Sequence, residues 1–363
     1  MRIIRSRSGY NDRNLIGPLC PVQVFVPIKG SSHQSGQILQ TLLVQDYPNY
    51  KVTFIVEDKS DPAFETLENF CNKYSNAEIF FSGKASESGQ KNLGLAKAAS
   101  ISNDDVEIFV FCDSTNSADA NWLSRITYPV RIGNVEVCTT FRSFSPNAGN
   151  LAGILQALYA TTIFALMTVA PKPWGGGTII RRKTFDRLNV PQIWLKTVVD
   201  DLTLGNILDK ARVKIHVSPE NYLLSPLQNQ SIKGFLSFLD RQILFPKFTN
   251  PWIWRFTVLG NISLSFSMWL SSCGLALYAF GNLGARYAVV GAIFWAGILL
   301  ITSLLRIINK PKLPIVKSLI GIPILICVST LISIRSIFLN HIDWHGVRYF
   351  CGEGGKVIRI ENI

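Results

Sequence analysis

Apolar positions follow two different patterns along this chain. Before residue 250 they come in short runs broken by polar turns, and after it they lengthen and lose almost all charge. Residues 22–27 (VQVFVP), 51–56 (KVTFIV), 77–81 and 106–111 (VEIFVF) are the length and composition of buried strands. The segments 37–45, 62–74 and 90–99 carry helical periodicity, and another helix starts at Ala120. Strand and helix alternate, which predicts an α/β fold with a mostly parallel sheet and helices on both faces. In such sheets ligands sit beyond the carboxyl ends of the strands.

The runs 257–280, 287–305 and 319–339 are close to the ~20 residues a helix needs to cross a bilayer with its backbone satisfied internally. Only Arg335 interrupts the last of them. The uncharged stretch 151–170 could also span by length. A crossing there would separate acidic residues that one reaction needs together, so it reads as a buried or membrane-dipping helix beside an acceptor site. Trp252 and Trp254 suit an interfacial belt before the first span. The division expected is 1–250 as a cytosolic α/β domain, 251–340 as about three transmembrane helices, and 341–363 as a basic tail.

Composition sharpens this picture. The 363 residues are 48% hydrophobic and only 17% charged, more apolar than ordinary soluble proteins. The net charge of +12, with Arg2, Arg5, Arg7 and Arg13 crowded at one end, points to an anionic membrane surface. No recognition helix or aromatic-studded basic sheet favours nucleic acid, and no segment identifies a protein partner. Seven scattered cysteines without a CxxC pair predict reduced thiols, and no secretory signal pattern opens the chain. The basic loop with Arg306, Lys310 and Lys312 asks for the cytosolic side, while Arg348, Lys356 and Arg359 pull the tail to the same side after an odd number of spans. His341 and His345 have the spacing of ligands on one helix turn but flank a membrane boundary, a poor place for a metal.

Candidate chemistry lies at the strand exits. Asp58 follows the second strand and Asp113, in FVFCDST, follows the fourth, so both carboxylates are expected in one crevice. Asp61 suits the turn and cap before the helix at 62.

The segments VFVPIKG, LLVQDYPNYKVTFIVED, FVFCDST, WGGGTIIRR and VVDDLTLG, in this order over roughly residues 20–250, resemble the family 2 nucleotide-sugar glycosyltransferases. The nearest likeness is to their ceramide glucosyltransferase-like branch, with an echo in DWHGVRY near the end. The resemblance implies a GT-A (Rossmann-like) nucleotide-sugar-binding domain followed by a C-terminal transmembrane region. It implies that Asp58 binds the nucleoside and that Asp113, with Lys91 of GQKNLG, meets the diphosphate of a UDP-sugar. Asp113 would also hold Mg2+ or Mn2+, although Thr115 stands where the second carboxylate of the usual Asp-x-Asp motif would be. Asp119 is near enough in sequence to replace it, or to start the next helix. Of the pair Asp200 and Asp201, the second is the implied general base that deprotonates the acceptor, and the first joins Trp174, Gly175 and Gly176 around sugar and acceptor. The family's Arg-Trp motif is eroded: Arg241 keeps its first position, but Leu244 occupies that of a cation.

These implications predict an inverting hexosyltransferase that moves one sugar from a nucleotide donor to a ceramide- or diacylglycerol-like lipid. A processive polysaccharide synthase or polyprenyl-phosphate transferase is the first alternative. A membrane scaffold with decayed motifs, suggested by Thr115 and Leu244, is the second.

Overall fold

The computed structural model describes residues 19–30 and 35–363, so the four arginines of the first 13 positions lie outside the described residues. The elements run β1 (Val22–Pro27), α1 (Ser35–Leu43), β2 (Tyr50–Val56), α2 (Phe64–Lys73), β3 (Ala77–Phe81), α3 (Gln90–Ser100), β4 (Ile108–Cys112) and α4 (Trp122–Arg131). Next come β5 (Val137–Thr139), β6 (Arg142–Pro146), α5 (Leu151–Met167), β7 (Gly177–Arg181), α6 (Arg182–Arg187), α7 (Val190–Trp194) and α8 (Asp200–Lys210). Then follow β8 (Ile215–Val217), β9 (Leu223–Leu227) and four helices: α9 (Ile232–Thr249), α10 (Pro251–Ala279), α11 (Ala285–Ile308) and α12 (Ile315–Phe338). Strands β10 (His341–Trp344), β11 (Val347–Cys351) and β12 (Val357–Asn362) end the chain.

The seven-stranded sheet has the order β3-β2-β1-β4-β7-β5-β8. Strands β1 to β4 are parallel, and β7 runs antiparallel between β4 and β5. The parallel strands read as unbroken apolar runs because both faces are covered: every residue of β4 is buried. One cluster, including Val24, Val26, Phe54 and Trp122, packs one face of the sheet, and another, including Phe25, Phe109, Phe185 and Trp194, packs the other. The strand order turns back between β1 and β4, which opens a crevice at their carboxyl ends.

Two compact units emerge, and they interleave along the chain. The α/β unit comprises 1–142, 166–225 and 345–363, and the helical unit comprises 143–165 and 226–344. Residues 143–165 and 226–250 therefore belong with the long helices, because α5 and α9 bury Ile154, Leu158, Leu239 and Ile243 in the same core as Met268, Ile298 and Ile326.

In the helical unit, α10, α11 and α12 are each long and apolar enough to cross a membrane. Asn250 caps α10 by accepting from the Ile253 N–H at 3.3 Å, and Pro251 occupies its first turn, where no donor is needed. Large apolar side chains such as Phe256, Phe266, Val290 and Leu331 face outward along these helices. Helix α5 stops at Met167, shorter than a span, and Ala152 to Leu158 are all buried. It is a core helix of this unit. Arg335, the one charge of the last apolar run, pairs with Asp240 of α9 at 2.5 Å. Trp252 is 66% exposed as a belt residue would be, but Trp254 turns inward and donates from Nε1 to Ser336 Oγ at 2.9 Å.

The C-terminal residues are an ordered antiparallel pair, β11 with β12, where the sequence suggests only a basic tail. His341 lies in β10 and His345 in a turn with φ of 51°, so no helix sets these two on a shared face. All seven cysteines are free thiols.

Candidate active site

The loop after β4 carries Asp113, and α3 begins one residue before Lys91, so both side chains arrive at the carboxyl edge of the sheet. Lys91 is the hub. Its ammonium lies 2.9 Å from Asp113 Oδ1 and 3.0 Å from Asp200 Oδ2, and donates to the Gly175 carbonyl at 3.2 Å. Burial works against its charge, but Asp113, Asp200 and Asp201 outweigh that cost and hold the lysine above its ordinary range. Asp113 is gripped from the other side by Arg142, at 2.7 Å to Oδ2. Burial raises the Asp113 carboxyl, yet the Lys91 and Arg142 cations win and keep it below the ordinary carboxylate range.

Asp200 and Asp201 open α8. Asp200 is 4% exposed and spends its carboxylate on Lys91. Asp201 accepts from the Gly175 N–H at 3.0 Å and from the Leu202 N–H at 2.7 Å. Burial, followed by the neighbouring Asp200 charge, pushes its carboxyl up to about 6 against the pull of Lys91. A carboxylate poised near neutrality suits proton abstraction better than an ordinary aspartate does.

The glycine run has a steric reason that needs no ligand. A Cβ at Gly175 would stand 2.3 Å from Asp200 Oδ2, and one at Gly176 would stand 2.2 Å from the Trp174 ring and 2.6 Å from Asp113 Oδ2. These backbones must approach the acids closely. Trp174 is half-buried beneath the Arg142 guanidinium, 5.2 Å from its ring centroid.

The structure therefore gathers Lys91, Asp113, Asp200, Asp201, Trp174, Gly175 and Gly176. Asp58 stands apart from them. It is exposed at the β2 exit, and its Oδ1 accepts from the Ser60 N–H at 2.7 Å and from the Ser60 hydroxyl at 2.5 Å. Those bonds, the hydroxyl first, lower its pKa. Asp58 and Asp113 keep separate partners: a local turn holds the first and distant segments hold the second. Asp61 accepts from the Ala63 N–H at 2.8 Å, as a turn residue before α2, and also from the Gly30 N–H at 3.0 Å. Asp119 accepts from the Asn121 N–H and pairs with Arg125 at 2.5 Å, so it serves the start of α4 and does not supply a second carboxylate beside Asp113.

Arg241 belongs to α9 in the helical unit and donates to Ser237 Oγ at 2.9 Å. Leu244, at the position of the eroded motif's cation, is 1% exposed and serves as a core residue. Arg142 is the site residue that sequence reading missed, since a lone arginine in FRSFS carries no pattern of its own.

No three His, Cys, Asp or Glu residues converge as a preformed metal shell among the described residues. Asp113 is still a hard oxygen donor, and Asp113, Asp200 and Asp201 exceed Lys91 and Arg142 by one charge. Mg2+ commonly binds through one or two carboxylates completed by substrate phosphates and water. The donor set fits that mode.

The sequence model of glycosyl transferase family 21 matches residues 5–357. Among solved structures, the mannosyltransferase PcManGT from Pyrobaculum calidifontis, in complex with GDP-Man and Mn2+, superposes with a TM-score of 0.54 at 14% identity. That likeness covers 89% of this chain and 90% of the other, and it shows the shared fold. GalNAc-T7 with UDP, GalNAc and Mn2+ matches over 64% of this chain and 48% of its own, at 9% identity and a TM-score of 0.45.

Proposed function

The chain belongs to glycosyl transferase family 21, and from that premise we propose that it transfers one hexose, with inversion, from a UDP-sugar to a ceramide- or diacylglycerol-like membrane lipid. The observation that carries this reading is the cluster around Lys91, where a cation for a leaving diphosphate and a carboxylate with a pKa of about 6 share the same glycine loop.

In the reaction, Asp201 takes the proton of the acceptor hydroxyl. The hydroxyl oxygen then bonds to the anomeric carbon as the carbon–oxygen bond to the diphosphate breaks. A positioned base of this kind contributes ~10²- to 10⁴-fold. One displacement inverts the configuration, and no covalent sugar–enzyme bond forms. Lys91 and Arg142 face the charge that develops on the departing diphosphate, already ordered by their bonds to Asp113. Trp174 offers an aromatic face to the sugar, and Asp58 at the β2 exit offers acceptors to the nucleoside. Asp113 would hold Mg2+ or Mn2+, which when bound adds positive charge against the diphosphate.

The lipid acceptor is supported by three helices of spanning length and by the absence of charge over most of them. The cytosolic placement of the α/β unit rests on Arg306 in the last turn of α11 and on Lys310 and Lys312 in the loop to α12. Purified protein in lipid nanodiscs, incubated with labelled nucleotide sugars and a panel of lipid acceptors, tests the assignment. The expected product is a glycolipid bearing one sugar. A polymer would instead support the synthase, and no product with any donor would support a scaffold. EDTA should abolish most turnover, and an unchanged rate would remove the metal.

A further inference from the structure

We propose that the C-terminal hairpin roofs the pocket for the donor's base, so that residues following the last long apolar helix select the nucleotide. This rests on the nucleotide-sugar reading above. A cavity of about 150 Å³ lies beyond the carboxyl ends of β1, β2 and β3, floored by Lys29, Glu57 and Gln90. Its roof is Val347, Tyr349 and Ile360 of β11 and β12. Ligands in such sheets bind at this edge, and here the hairpin joins Lys84 and Ala85 of the β3–α3 loop in lining it.

The roof is anchored to the catalytic segment. The Val198 N–H donates to the Gly355 carbonyl at 3.0 Å, and the Val357 N–H donates to the Lys196 carbonyl at 2.9 Å, just before Asp200. Tyr349 is buried and lines the cavity opposite Gln90, which opens α3. Gln90 and Lys91 are consecutive in the first turn of α3, one facing the cavity and the other facing Asp113 and Asp200. A ligand with a base in the cavity and a diphosphate at Lys91 therefore runs over that single turn.

The lining says which base fits. An engineered cavity of ~150 Å³ takes one benzene ring, so a six-membered ring is the matching size. Glu57 lines the cavity with a carboxylate that no hydrogen bond or ion pair of the described residues engages. Uracil offers that carboxylate its ring N–H between two carbonyls, whereas cytosine meets it only through the exocyclic amine, with a bare ring nitrogen beside it. Lys84 and Asn362 supply donors for the carbonyl oxygens of uracil.

The test measures binding of UDP, CDP, GDP and inorganic pyrophosphate to the full chain in nanodiscs by calorimetry. The native protein should prefer UDP over CDP and GDP by about tenfold or more. Ile360→Trp, which fills the cavity from its roof, should weaken UDP by about tenfold or more and leave pyrophosphate within about twofold. Asn362→Ala, at an exposed strand end that folding does not need, should weaken UDP by about threefold and narrow the margin over CDP. Melting temperatures close to the native value confirm that both variants fold. If UDP binds the native protein and both variants leave its affinity unchanged, the hairpin is not the roof, while the transferase reading stands. A native preference for GDP overturns the pyrimidine pocket. If no nucleoside diphosphate binds the native protein, the transferase reading falls and takes the roof with it.

Discussion

The exits of β2 and β4 begin alike and end differently. Each follows a buried apolar strand of the parallel sheet, and each presents an aspartate at the carboxyl edge. At β2, Asp58 bonds two residues onward and stays in water. At β4, Asp113 meets Lys91 from α3 and Arg142 from β6. A strand end fixes where a side chain stands, and its chemistry depends on which distant segments reach it. The low dielectric of the second exit makes its charges interdependent, whereas those of the first act singly.

This contrast can be broken at several strengths. Asp201→Asn removes the carboxylate proposed as the base and should lower kcat by ~10²- to 10⁴-fold. Turnover within about threefold of native would rule out Asp201 as the base, since base removal costs far more. Lys91→Met leaves three acids against Arg142 alone, and kcat/KM should fall by about 10²-fold, with a lower melting temperature because buried acids lose their partner. A pH profile sharpens the picture further. With a carboxyl at about 6, kcat/KM should decline about tenfold per unit below pH 6 and level off above it. Stability should move the other way from this group: its folded pKa exceeds the unfolded value, so ionising it as pH rises towards 6 costs the native state. Asp58→Ala should be mildest, raising the donor KM about tenfold with kcat within about threefold, as removal of a binding contact does. A kcat loss as large as that of Asp201→Asn would erase the contrast between the two exits.

Much of the architecture was legible because it rests on bulk patterning. Runs such as VQVFVP and VEIFVF announced the parallel strands, and long uncharged stretches announced α10, α11 and α12, since burial and lipid both select apolar residues by the dozen. Lys91, Asp113 and Asp201 were legible through their motifs, and their convergence on one glycine loop follows from strand order. Arg142 was hidden because its role comes from tertiary approach alone. The C-terminal hairpin was readable in principle from the alternation in VIRIEN and the glycines of CGEGG, but counting its charges drew attention to membrane sidedness instead. Trp254 looked like an interfacial residue until its indole found Ser336.

The α/β unit takes its last two strands from 345–363, after the chain has passed through all three long apolar helices. During synthesis its earlier segments must wait for those helices to be made, a delay on the order of ten seconds at ordinary elongation rates. Until then the loop before Asp200 lacks its backbone partners at Lys196 and Val198. A half-made chain thus has an unfinished edge beside Asp200, which ties its assembly to the synthesis of residues 345–363.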